Sequence, residues 1–176
     1  MNERKKYDVC IIGGGLGGLA LSIQLSRLGY AVALLEKEKY PFHKVCGEYI
    51  SLESWNFIEE LGYPLSGSQL PLIKTLIVSA PDGSQLQQAL PLGGFGISRF
   101  KLDNELKAIA AANKVHVFEN CKVTDVQFIA DEFKIQTTIG NFTSRVCCGC
   151  YGKRSNLDVK WNRSFINTKP GKLNNY

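Results

Sequence analysis

The sequence predicts an α/β fold, and three observations carry that prediction. From Asp8 to Glu36 a strand, a glycine-rich turn, a helix, a second strand and an acid follow one another. Leu72 to Ser79 and Gln85 to Leu90 flank the turn Ala80-Pro81-Asp82-Gly83, which marks an antiparallel hairpin. Further short apolar runs along residues 115–149 supply strands around the first unit.

Val9 to Ile12 form the first apolar strand, which runs into Gly13, Gly14, Gly15, Leu16, Gly17 and Gly18 and so fits G-x-G-x-x-G at Gly13, Gly15 and Gly18. Gly13 permits the tight strand-to-helix turn, Gly15 lets a pyrophosphate approach the backbone, and Gly18 lets helix and strand pack closely. The helix is expected from about Leu16 to Leu28, with Leu19, Ile23, Leu25 and Leu28 as its apolar stripe and Gly29 at its end. Its N-terminal N–H groups and macrodipole favour a dianion.

Ala31 to Leu35 form the next strand, and Glu36 follows Gly18 by 18 residues, where a carboxylate accepts hydrogen bonds from a ribose 2′-OH. An acid there disfavours a 2′-phosphate and argues against NADP in this site. A glycine-rich turn without ligand is the alternative; the complete ordered unit favours a dinucleotide.

Lys37 to Glu48 is a polar loop just past a strand's carboxyl end, where ligands sit in open α/β sheets. A helix is expected from about Leu52 to Leu61, with Trp55, Ile58 and Leu61 on one face. The hairpin follows, assigned to a second, substrate-facing layer. Residues 93–99 then lead to a helix from about Lys101 to Ala112, begun by Ser98 or Phe100, with Leu102, Leu106, Ile109 and Ala110 inward. Strands are expected at Val115 to Phe118, Lys122 to Ile129, Glu132 to Thr138 and Arg145 to Gly149. Beyond Ser155 the apolar pattern fades into an irregular segment.

The chain has 176 residues, 44% of them hydrophobic, which suffices for one substantial core. Its charge of +5 is no nucleic-acid signal, because residues 1–150 carry 15 Lys and Arg against 15 Asp and Glu. The excess lies in residues 151–176, read as a solvated basic tail. Arg4, Lys5 and Lys6 ahead of an apolar stretch imitate a signal peptide, but Asp8 and the glycines interrupt it, so a cytoplasmic, unexported chain is expected. Its six cysteines are then expected as reduced thiols. Cys147 and Cys150 match C-x-x-C without a second pair or a nearby histidine, and no metal site is assigned. There is no apolar run long enough for a transmembrane span.

Three landmarks together resemble the FAD-dependent flavoprotein monooxygenase and geranylgeranyl reductase-like oxidoreductases, which share the p-hydroxybenzoate hydroxylase fold. They are the unit ending in Glu36, the segment Lys44-Val45-Cys46-Gly47-Glu48, similar to K-x-C-G-E, and Arg99 with Asp103 and Leu106, similar to R-x-x-x-D-x-x-L. Gly149-Cys150-Tyr151-Gly152-Lys153-Arg154-Ser155 is similar to the family's G-A-x-G-x-x-S segment, so the resemblance covers nearly the whole chain.

The resemblance implies a glutathione-reductase-type, Rossmann-like FAD-binding domain over residues 1–155, with residues 70–98 an antiparallel insertion that begins a substrate sheet and residues 156–176 a basic tail. It implies FAD as cofactor, with NAD(P)H as an external reductant and an apolar or aromatic small molecule as substrate. The cofactor-binding set comprises Gly13, Gly15, Leu16, Gly17 and Gly18 at the pyrophosphate and Glu36 at the adenosine ribose, with Lys37 and Lys44 in the same set. Cys46 and Gly47 fall beside the isoalloxazine, Arg99 near the flavin or its phosphates, and Val123 at the adenine. Bland readings stand beside these: Arg99 as a surface ion pair, Cys46 as a small buried residue, Glu48 as a solvated acid. No catalytic residue is assigned, and His43 is read as structural or solvated.

Members of this family usually continue for about as long again, with a second G-D segment against the flavin. Neither that segment nor the halogenase-type W-x-W-x-I-P pattern occurs in these residues, so a fragment of a larger enzyme is expected, with open sheet edges and exposed apolar faces. A non-catalytic nucleotide-binding remnant is the first alternative function and an NAD-dependent dehydrogenase the second.

Overall fold

The computed structural model describes residues 5–46, 48–152 and 156–167. Its elements are β1 (Lys5–Ile12), α1 (Leu16–Arg27), β2 (Val32–Leu35), β3 (Tyr49–Ser51), α2 (Trp55–Glu60), β4 (Leu72–Ser79), β5 (Gln85–Gly96), α3 (Arg99–Ala112), β6 (His116–Phe118), β7 (Val123–Ile129), β8 (Glu132–Thr137), β9 (Gly140–Gly149), α4 (Asn156–Lys160) and α5 (Ser164–Asn167).

A six-stranded sheet runs in the order β6-β2-β1-β9-β8-β7. Its first four strands are parallel, with Val9 opposite Val32 and Val146, and Ala33 opposite His116. Strands β8 and β7 add antiparallel to β9. The alternation of strand side chains sorts the core into two layers. Ile11 and Leu34 face Leu19 and Ile23 of α1 and Leu102 and Leu106 of α3. Cys10, Ala33 and Leu35 face Ile135 and Phe142 on the other side. Full burial of each such Leu or Ile stabilises the fold by roughly 1.5–3 kcal/mol, so these two layers set the plane from which the loops project.

Helix α1 stops where predicted, at Gly29 with φ of +88°. Ser98 caps α3, its hydroxyl accepting from the Phe100 N–H at 3.2 Å. The expected helix over 52–61 is shorter, because a 3₁₀ turn, Leu52–Ser54, precedes α2.

The hairpin forms its own three-stranded sheet, β3-β5-β4. Strand β5 runs six residues past the expected end at Leu90, to Gly96, and the loop contributes β3 to it. Pro91 is tolerated because the β4–β5 register jumps there, between Thr75 opposite Ala89 and Ile73 opposite Gly94. Leu76, Val78 and Leu86 are exposed, as expected for an uncovered sheet face.

Residues 156–167, expected to be irregular, instead carry α4 and α5. Leu157 and Asp158 are buried, Tyr151 donates to Asp158 at 2.9 Å, and Lys160 pairs with Asp125 at 2.7 Å. Tertiary contacts thus order a segment whose local sequence is weakly patterned.

Candidate functional site

The site grows from the carboxyl ends of β1 and β2. Gly13 has φ of +104°, and a Cβ there would lie 2.6 Å from the Cys150 carbonyl oxygen. A Cβ on Gly18 would collide with the Gly13 carbonyl oxygen, so the close helix-to-strand packing requires glycine. The turn is tied on both sides, Gly13 N–H donating to Leu35 at 2.8 Å and Cys150 N–H to Ile12 at 2.8 Å. Gly15 is the N-cap of α1 and supplies no side-chain cap, which leaves the helix's first N–H groups to an anion.

Glu36 is buried at the end of β2. Its carboxylate accepts from the Gly14 N–H at 2.7 Å and the Glu38 N–H at 3.0 Å. Both oxygens retain a lone pair for a further donor such as a sugar hydroxyl.

A cavity of about 710 Å³ extends from the glycine turn to the start of β7, within the size range of small-molecule sites. Gly13, Gly15, Glu36, Lys37, Lys44, Arg99 and Val123 line it. Leu16, Gly17 and Gly18 lie in the first turn of α1 beside it; Gly17 is exposed, and a Cβ there would meet nothing. Cys46 is exposed and interacts with the Arg99 guanidinium. Gly47 lies outside the described residues, as do Lys153, Arg154 and Ser155.

Asp103, named only as part of a motif, organises the cationic side of the cavity. It is buried and takes Arg99 in a bidentate grip, at 2.8 Å from Nε and 2.9 Å from Nη2, while Lys44 Nζ approaches at 2.9 Å. Burial alone opposes the Arg99 charge, but Asp103 and Cys46 outweigh it and hold the guanidinium above its ordinary range. Lys44 Nζ also sits 4.6 Å over the Phe42 ring and 3.7 Å from a Cβ built on Gly15. Two cations against one carboxylate, next to a helix N-terminus, suit a diphosphate. The i, i+4 spacing of Arg99 and Asp103 was the available signal, since those positions meet on a helix.

Tyr151 and Leu157 also line the cavity and were not assigned from the sequence. Burial first, then Asp158, pushes the Tyr151 phenol up to about 12, so it stays protonated near neutral pH. His43 stacks on Phe100 with ring centroids 4.6 Å apart. The six cysteines are all free thiols. No helix among the described residues is long and apolar enough to cross a membrane.

Residues 7–143 match the pyridine nucleotide-disulphide oxidoreductase family, which is FAD-binding. The chain belongs to this family. It is 41% identical over 61 residues to conditioned medium factor receptor 1 of Dictyostelium discoideum, covering 35% of this chain and 12% of that protein. With the FAD-dependent monooxygenase olcE of Penicillium canescens it shares 24% identity over 184 residues, 98% of this chain and 39% of that one. The fold is that of the myxobacterial chondrochloren halogenase, an FAD-dependent halogenase, with a TM-score of 0.72 at 22% identity over 88% of this chain and 39% of that chain. The chain spans between 12% and 41% of the length of the curated relatives it matches.

Proposed function

We propose that this chain forms the FAD cradle of an oxidoreductase of the monooxygenase or geranylgeranyl reductase-like type. Its substrate is a small apolar or aromatic molecule, NAD(P)H is the external reductant, and the setting is cytoplasmic. One observation carries the reading: the glycine turn, the buried Glu36 carboxylate and the Lys44–Asp103–Arg99 cluster all border one cavity of about 710 Å³.

In this reading Glu36 accepts from the adenosine ribose, the α1 N-terminus with Lys44 and Arg99 neutralises the pyrophosphate, and Val123 packs at the adenine, with Lys37 beside it. Leu16, Gly17 and Gly18 contribute backbone, and Cys46 and Gly47 border the flavin end. The bound flavin supplies the redox chemistry, and the protein supplies binding, orientation and charge.

The exposed β4–β5 faces favour a second reading, in which the chain binds the nucleotide without turnover. Titration of the purified protein with FAD, followed by flavin absorbance and a thermal shift, tests the first step. FAD at 100 times its dissociation constant should add about 2.7 kcal/mol of stability. A colourless protein unaffected by FAD, or one responding only to NAD, refutes the FAD reading. Photoreduction of the bound flavin, followed by reoxidation with O2 and analysis for a hydroxylated product, or anaerobically by an unsaturated substrate that is itself reduced, separates turnover from binding alone.

A further inference from the structure

Gly14 belongs to none of the three motif positions, yet both of its peptide groups are held. Its N–H donates to Glu36 at 2.7 Å, and its carbonyl accepts from the Tyr40 hydroxyl. Tyr40 lies in the loop after β2, is buried, and does not border the cavity. Its own backbone is fixed by the Glu119 carboxylate at 2.7 Å, and its ring packs on Phe42 at 5.4 Å. A Cβ on Gly14 would collide with the Tyr40 hydroxyl and come within 3.1 Å of Glu36. Burial, then the Glu36, Asp103 and Glu119 carboxylates, raises the Tyr40 phenol, so it remains an O–H donor.

We propose that Tyr40 is a positioning residue for the cofactor pyrophosphate, acting through the Gly14 carbonyl; this rests on the FAD reading above. Three consecutive glycines make the turn costly to order on binding. In a trans peptide the C=O and the next N–H point in opposite directions. Holding the Gly14 carbonyl against Tyr40, behind the turn, therefore aims the Gly15 N–H away from Tyr40, and Gly15 borders the cavity. Glu36 fixes the preceding peptide in the same way. The segment after β2 thus orders the turn in advance of the ligand, which lowers the entropic cost of binding.

The test compares wild type, Tyr40→Phe and Ser22→Ala by calorimetric titration with FAD and with ADP, alongside thermal midpoints without ligand. Tyr40→Phe keeps the ring and deletes the hydroxyl. It should weaken FAD and ADP by the same factor, about five- to tenfold, because both carry the diphosphate. Ser22→Ala also deletes a buried hydroxyl bond, to Leu19 at 2.7 Å inside α1, and should lower the midpoint while leaving both affinities unchanged. Three results overturn the proposal: Tyr40→Phe binding FAD within twofold of wild type, Tyr40→Phe failing to fold, or Ser22→Ala weakening FAD as much. Wild-type protein that binds neither ligand overturns the FAD reading and the clamp with it.

Discussion

Replacing Asp103 with Asn separates an ion cluster built into the site from an incidental helix pair. The carboxylate makes three contacts of 2.8 to 2.9 Å, two with Arg99 and one with Lys44, and its side chain is 3% exposed. Removing one partner of a buried charge pair costs about 3–5 kcal/mol, because the other charge is left uncompensated. Two corrections reduce that figure. Asn keeps a carbonyl oxygen worth about 1 kcal/mol as a neutral acceptor, and the Lys44 and Arg99 side chains retain 25% and 16% exposure, so water reaches them. The expected loss is therefore about 2–4 kcal/mol, or roughly 4–16 °C in thermal midpoint for a domain of this size. Circular dichroism melts at 0.1 M and 1 M NaCl measure it. Partly buried pairs are weakly screened, so the gap should persist at high salt. A midpoint within 2 °C of wild type, or a gap that vanishes at 1 M NaCl, would refute the reasoning.

Three other outcomes follow from the same geometry. Glu36→Ala removes the acceptor for two backbone N–H groups and, in the FAD reading proposed above, for the ribose; it should cost about 2–4 kcal/mol of FAD affinity and lower the apo midpoint, checked by titration and melting, and unchanged affinity would place the ribose elsewhere. Gly17→Ala, in open space, should raise stability by about 0.5 kcal/mol with FAD binding intact, whereas Gly18→Ala should cost about 1–3 kcal/mol by driving a Cβ into the Gly13 carbonyl; equal urea midpoints would contradict the contrast. Glu132 is held near a pKa of about 2, by Lys134 first and then Lys6, against an ordinary value of 4.5. A depressed carboxylate stabilises the fold above its unfolded value and loses that contribution as pH falls from about 4.5 toward 2. Acid melts of wild type and Glu132→Gln should therefore differ at pH 7 and converge near pH 2; curves that stay parallel would show that the lysine contacts add nothing.

The parts legible in the sequence were those whose cause is local. The continuous apolar runs of β1 and β2, the helical stripe of α1 and the turn at Pro81-Asp82-Gly83 each state their structure within a few residues. Strand β5 continues through Pro91 to Gly96, beyond the expected end at Leu90; the register jump that accommodates the proline depends on β4 and is invisible locally. The helices after residue 155 were missed for a related reason, since Leu157 and Asp158 are ordered by Tyr151 and the sheet rather than by their own pattern.

The same division holds for the site. By itself the sequence determined the α/β class, the glycine turn and the acid at position 36, because steric demands at Gly13 and Gly18 and the spacing to Glu36 are set by chain geometry. Only the tertiary structure decided that Lys44 and Asp103, 59 residues apart, share one ion cluster, and that Tyr40 holds the turn from behind. Burial turns a surface-type Arg99–Asp103 pair into a buried anchor, and burial is a property of the packed chain rather than of any segment of it.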